Sequence, residues 1–338
     1  MKKTSKTLSA ILGGLLFITA DATLAQVDYS VYGVADLSYG AFGQSGLARD
    51  VRFNSNSLSP SFVGVTGSYG FDDGWSVAAV AETFIRFQDF KTGRRDSDPL
   101  LSRNAFIALR STEYGSLRFG RLQTLIFDTT NRFNALGSSP LSPAIRHLFF
   151  SGNIEGVDGD FYWDNAVGYT SPNLDGLTFN LMHAVQKQDE RGSYQGGSVV
   201  WSVGLLSIEA AAQNVHVNDG IRDPAKETTW QLGSSYNFGF ARVFGLYSQV
   251  RDRALDARSK LASAGVNVPV GPGSLVFQIG SSTTEGAAID RKHTTLSSAY
   301  LYEYDSVTDI YVIGMDDRVR GQSSGQSVAC LLYTSRCV

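Results

Sequence analysis

Residues 27–40 read VDYSVYGVADLSYG, and their alternation decides the fold. Val27, Tyr29, Val31, Gly33, Ala35, Leu37 and Tyr39 fall on one side of an extended chain. Asp28, Ser30, Tyr32, Asp36 and Ser38 fall on the other. A period of two marks a strand with two unlike faces. The pattern recurs in WSVAAVAETFIRF (75–87), which sets Trp75, Val77, Ala79, Ala81, Ile85 and Phe87 against Ser76, Glu82 and Arg86. It continues through SLRFGR (116–121), NAVGYTS (165–171), LTFNLMHAV (177–185), LSIEAAAQ (206–213), TWQLGSSY (229–236), ARVFGLYSQ (241–249) and LVFQIGSS (275–282). No comparable stretch keeps a 3.6-residue period with caps, so the chain reads as all-β.

The connections sort into two sets. Short ones carry turn residues: FDDG (71–74), EYGS (113–116), PNLDG (172–176), YNFGF (236–240), GPGS (271–274) and YDSVTD (304–309). Longer polar links lie between them, at 41–59, 90–99, 187–197, 218–227, 283–292 and 316–325. The link at about 124–160 is far longer than the rest. Strands ending alternately in tight turns and long loops describe an up-and-down meander. At about 19 residues per strand with its share of connections, residues 26–329 hold about 16 antiparallel strands.

The apolar face needs a solvent. In a soluble sandwich the opposite face would meet water and be rich in Lys and Glu. Here it carries Ser, Thr, Gln, Asn, Tyr and Gly with scattered charges. Aromatics mark the ends of the apolar strips, at Tyr29, Tyr39, Tyr69, Trp75, Phe87, Trp230 and Tyr236. A bilayer interface selects that placement, and a closed barrel is the sheet that satisfies its backbone in lipid. The expected fold is a transmembrane β-barrel.

The chain's start agrees. Lys2, Lys3 and Lys6 precede the uncharged run LSAILGGLLFITA (8–20), and small residues follow to Ala25. That order reads as a cleaved signal peptide over residues 1–25. The remaining chain holds 26 Lys+Arg against 31 Asp+Glu. Its mild acidity argues against nucleic acid as a partner.

In order and spacing, several segments resemble the general porins of Gram-negative outer membranes. They are SVYGVADLSYG (30–40), GSLRFGR (115–121), VGYTSPNLDGLTF (167–179), VNVPVGPGSL (266–275) and SSAYLYEYDSVTDIYVIG (297–314). The resemblance runs from about Val27 to Ala329. It implies a sixteen-stranded barrel, a homotrimer set in outer-membrane lipid and lipopolysaccharide, and passive diffusion of small hydrophilic solutes and ions. It implies no cofactor or metal and no enzymatic activity. The 124–160 link then matches the loop that folds into the lumen and narrows it. On that loop the resemblance implies constriction acids at Asp128, Glu155, Asp158 and Asp160, with Asp164 at the strand entry. The facing basic wall is Arg86, Arg110, Arg118 and Arg121. Alternation from Leu117 and Phe119 sends Arg121 toward lipid, unless a bulge at Gly120 turns it inward. Two wall positions depart from the family: Phe62 and Gly168 stand where many members carry Arg. A substrate-specific channel and, further off, a secreted β-sandwich are the alternatives.

GQSSG (321–325) fits a hydrolase nucleophile motif but sits in a polar link between strands. His147, His183, His216 and His293 are scattered and read as surface or lumen residues. The last residues, CLLYTSRCV (330–338), hold both cysteines. Family members close the barrel with a strand ending in Phe. This tail resembles a reading frame run into a sequencing-library adapter, and truncation or artefact is the expectation from Cys330. Its residues can still alternate as a closing strand.

Overall fold

The structure is a computed structural model describing residues 28–44, 50–151, 156–159, 161–185, 191–217, 225–287, 289–323, 326–327 and 331–336. The expected signal peptide, Cys330 and Cys337 lie outside the described residues. The described strands form one antiparallel sheet that closes on itself.

Sixteen barrel strands account for the sheet. The first has two pieces, Asp28–Val34 and Leu37–Gln44, and so has the second, Asp50–Ser55 and Phe62–Gly70. The third to seventh are Trp75–Arg86, Ala105–Ser111, Gly115–Gln123, Tyr162–Thr170 and Leu177–Val185. The eighth to twelfth are Arg191–Val203, Leu206–Val217, Ala225–Asn237, Arg242–Asp252 and Ala257–Val270. Gly273–Gly286, Ile289–Glu303, Asp309–Ser323 and Leu331–Arg336 complete the barrel. The last strand closes it, setting Ser335 opposite Gly40 on one side and opposite Ile313 on the other.

Burial is inverted relative to a water-soluble sheet. Large apolar side chains at alternate positions are exposed: Val31 68%, Ile107 59%, Leu181 61% and Ile279 50%. Polar ones between them are buried, including Gln213, Gln231, Thr284, Thr295 and Ser297. The outward face therefore suits acyl chains and the inward face water. At the short-turn end, exposed aromatics gather at Phe71, Tyr114, Phe238, Phe240 and Tyr304, as an interfacial belt requires.

Three features depart from the sequence expectation. Strands run into the polar links: residues 316–323 continue the fifteenth strand, so Gly321–Ser323 of GQSSG are sheet. Outside the apolar belt the face pattern ends, yet backbone pairing continues, as in Glu285 opposite Asp290. The second strand breaks at 56–61, because the Asp36 carboxylate draws that segment inward. It accepts the N–H groups of Ser57, Leu58 and Ser59 at 3.0, 2.9 and 2.8 Å and the Tyr311 hydroxyl at 2.9 Å. The chain also contains helix: α1 (Leu125–Arg132) and α2 (Pro143–Phe149) lie in the longest link. Among the described residues, no helix is long and apolar enough to cross a membrane.

Candidate functional site

The longest link folds inside the barrel, and local chemistry sets its shape. Thr124 Oγ1 caps α1 by accepting the Phe127 N–H at 3.3 Å, a contact worth about 1 kcal/mol. After Phe133 the Asn134 side chain holds the turn. Its Oδ1 accepts from Leu136 N–H at 3.0 Å and Ser142 Oγ at 3.1 Å, and its Nδ2 donates to Gly137 O at 2.8 Å. Ser142–Pro143 then starts α2, with proline at the first helical position, where its missing N–H costs nothing.

Polar wall residues grip the loop along its length. Thr129 Oγ1 donates to Glu209 Oε1 at 2.9 Å, and Gln231 Nε2 donates to Thr130 Oγ1 at 2.9 Å. Arg132 pairs with Glu209 at 3.3 Å and Arg146 with Asp317 at 3.1 Å. Ser297 Oγ donates to Leu141 O at 2.6 Å, and Ser139 Oγ donates to Ser57 O at 2.7 Å in the break of the second strand. Glycines give the loop room. A Cβ on Gly233 would lie 2.3 Å from the Phe133 ring, one on Gly265 2.9 Å from Ala135, and one on Gly280 2.7 Å from Pro143.

Beneath α2 sits a buried polar cluster. His147 Nδ1 lies 2.9 Å from Ser282 Oγ, and Nε2 lies 2.8 Å from Thr295 Oγ1. The His147 ring stacks on His293 at 3.7 Å, and His293 Nε2 meets Asp317 at 2.5 Å. Thr295 donates its hydroxyl proton to Asp317, so its oxygen accepts from His147 Nε2–H and Ser282 donates to Nδ1. Burial, then the neighbouring His293, holds the His147 imidazole well below its ordinary pKa, in the neutral form. Two of the four histidines read as scattered in the sequence, His147 and His293, are thus paired by the in-folded loop.

The opening lies between the loop and the second, third and fifth strands. A cavity of about 360 Å³ is lined there by polar Asn54, Gln88 and Gln123, aromatic Phe84, Phe127, Phe150, Phe161 and Tyr162, and Arg86, Arg94 and Arg103. These arginines are its charged lining. Their acid partners stand behind them. Arg103 pairs with Glu82 at 2.5 Å and stacks 3.9 Å over Phe62. Arg94 pairs with Asp98 at 3.1 Å, and Arg86 with Asp96 at 2.5 Å. Burial would raise the Asp98 carboxyl, but the Arg94 amide and guanidinium hold it below the usual carboxylate range.

Of the basic wall expected from sequence, Arg86 lines this cavity. Arg118 donates to Thr170 Oγ1 at 3.2 Å, and Arg110 lies exposed near the turn end of the fourth strand. At Gly120 (φ +140°) the sheet register shifts. Arg121 beyond it pairs with Asp164 at 2.7 Å and donates to Ser102 O at 3.1 Å. Among the loop acids, Asp128 takes a hydrogen bond from the Gln123 amide, and burial pushes its carboxyl up to about 6. Asp158 donates its backbone N–H to Glu227 at 3.0 Å. Glu155 and Asp160 lie outside the described residues. Arg94 and Arg103 were not singled out from sequence: Arg94 falls in the polar link at 90–99, and Arg103 stands between that link and the fourth strand.

A sequence profile of Gram-negative porins matches residues 9–322. Outer membrane porin protein 32 of Delftia acidovorans is 24% identical over 302 residues, covering 86% of this chain and 84% of that one. Among solved structures, the anion-selective porin from Comamonas acidovorans superposes with a TM-score of 0.76 at 19% identity, over 91% of this chain and 96% of that one. The trimer form of in-vitro folded OmpT, an outer membrane protein of Vibrio cholerae, gives 0.64 at 14% identity, over 90% and 95%. With nearly its whole length matched, a sheet turned apolar side out and its longest loop inside the cylinder, this chain belongs to the Gram-negative porin family of the outer membrane.

Proposed function

We propose that the barrel works as a trimeric, anion-preferring pore for passive diffusion of small hydrophilic solutes. The observation that carries the sign is the lining of the opening, whose charged side chains are Arg86, Arg94 and Arg103. In a low-dielectric cylinder, a ring of one charge sign raises the local concentration of counter-ions. The anion-selective relative supports the same sign.

Strand length supports the trimer. The fourth strand has 7 residues and the fifth to seventh have 9 each. At about 3.3 Å per residue and a tilt near 45°, 7 residues rise roughly 16 Å, short of a ~25 Å apolar band. A neighbouring copy covers such a low wall. Reversal potentials across a planar bilayer under a salt gradient test the sign. Anion preference that weakens when Arg86, Arg94 and Arg103 are replaced by Gln is the expected result. Cation preference in the unaltered protein would refute it.

A further inference from the structure

The aromatic side of the opening has no use in passing inorganic anions. Phe127 and Phe161 meet edge to face at 4.8 Å, and Phe84 and Tyr162 at 5.9 Å. Phe150 lies 5.8 Å from Phe161 and remains 49% exposed. Apolar surface facing a water-filled passage is unfavourable until something apolar covers it. The guanidinium of Arg94 lies 4.9 Å over Phe161 and 5.7 Å over Phe84. Arg103 adds a second guanidinium to the same lining. A planar fork beside aromatic faces suits a ligand that is both flat and carboxylated.

We propose that the opening holds a transient subsite for flat aromatic carboxylates, with the ring against Phe161 and Phe150 and the carboxylate on the arginines. This rests on the anion-pore reading above and adds a solute class to it. A cavity of about 360 Å³, aromatic with a few polar groups, has the size and character of a small-molecule site. An aliphatic acid engages the arginines alone. An aromatic amine meets the rings but is repelled by the charge. A transient occupant suits a channel, because a solute that enters must also leave.

The test is current interruption in single channels of the full-length protein, with benzoate, acetate and benzylammonium as probes. Benzoate is expected to interrupt the current at about tenfold lower concentration than acetate, since it adds ring stacking and cation–π contact. Benzylammonium is expected to have no effect. Phe150→Leu, at an exposed ring, is expected to remove most of the advantage of benzoate over acetate. Arg94→Lys keeps the charge, loses the planar fork and is expected to weaken benzoate more than acetate. Conducting channels on which benzoate and acetate act alike overturn the subsite and leave the pore standing. A purified protein that forms no conducting channel overturns the pore reading and the subsite with it.

Discussion

Gly233→Ala is the most direct test of what holds the loop in the lumen. The added Cβ would lie 2.3 Å from Phe133 Cδ2, 2.5 Å from Cγ and 2.9 Å from Cβ. Ordinary contact begins at 3.4 Å, so the ring must retreat by about 1.1 Å and its Cβ by about 0.5 Å. Turning the ring cannot relieve a contact with Cβ, so the backbone after α1 has to move. Phe133 is 1% exposed and packs with Leu246, Val250 and Leu261 of the wall, which leaves it no free direction. Overpacking of this kind costs about 1–3 kcal/mol. At 1.4 kcal/mol per tenfold, the ratio of docked to undocked loop falls about 5- to 150-fold. Single-channel recording reads the change as larger current fluctuation and a raised mean conductance. Gly314→Ala is the control, because open space surrounds that position. Gly233→Ala combined with Phe133→Leu is expected to restore quiet channels. Gly233→Ala channels indistinguishable from the Gly314→Ala control would refute the glycine bed as the loop's seat.

Acidity is expected to act oppositely on the two ends of the loop. At α1, burial raises the Asp128 carboxyl from 3.8 to about 6, so folding favours its protonated form. Docking there is strongest below the ordinary carboxylate pKa and weakens as pH rises toward 6. Lowering pH from 7 to 5 also removes a negative charge, and reversal potentials should move toward anions, with Asp128→Asn abolishing that step. At α2, His147 is held below its ordinary 6.5. Its contribution is complete above 6.5 and is lost as pH falls below that value, because burial disfavours the protonated ring, which also meets His293 and, beyond it, Arg146 and Arg291 against the opposing pull of Asp317. Channel flicker that grows below pH 6 and disappears in His147→Gln is the expected outcome, and equal flicker in both proteins would contradict it.

The barrel was legible because its signal is repeated from strand to strand: Val31, Ile107 and Ile279 each sit at alternate positions and each face outward. The lumen was not legible to the same degree. Alternation places a side chain on a face but not against a partner. Arg118 follows the strand pattern, yet its bond is to Thr170. His147 and His293 are far apart in sequence and meet because a loop register and a strand register coincide. Arg94 reaches the cavity from the polar link at 90–99 and Arg103 from just before the fourth strand, where no strand period assigns a face. The two helices did carry local signals that the dominant period of two obscured: a capping threonine at Thr124 and the Ser142–Pro143 pair.

The polar inward face serves two partners, the loop and the cavity. On the ninth to fifteenth strands the polar side chains bind the loop: Gln231 holds Thr130, Ser282 and Thr295 hold His147, and Ser297 holds Leu141 O. Each such bond contributes about 1 kcal/mol, and each is lost if the loop drifts away. Asn54 of the second strand, Gln88 just after the third and Gln123 at the end of the fifth face the cavity, and Gln123 also donates to the loop at Asp128. The loop is drawn to the wall that offers hydroxyls and glycine space, and the cavity lies beside the arginines and rings. On the proposed pore reading, aperture and selectivity rest on different residues. Substitutions at Gly233, Gly265 or Gly280 act on width, while those at Arg86, Arg94 or Arg103 act on charge preference, and the two sets combine additively because they lie on opposite sides of the loop.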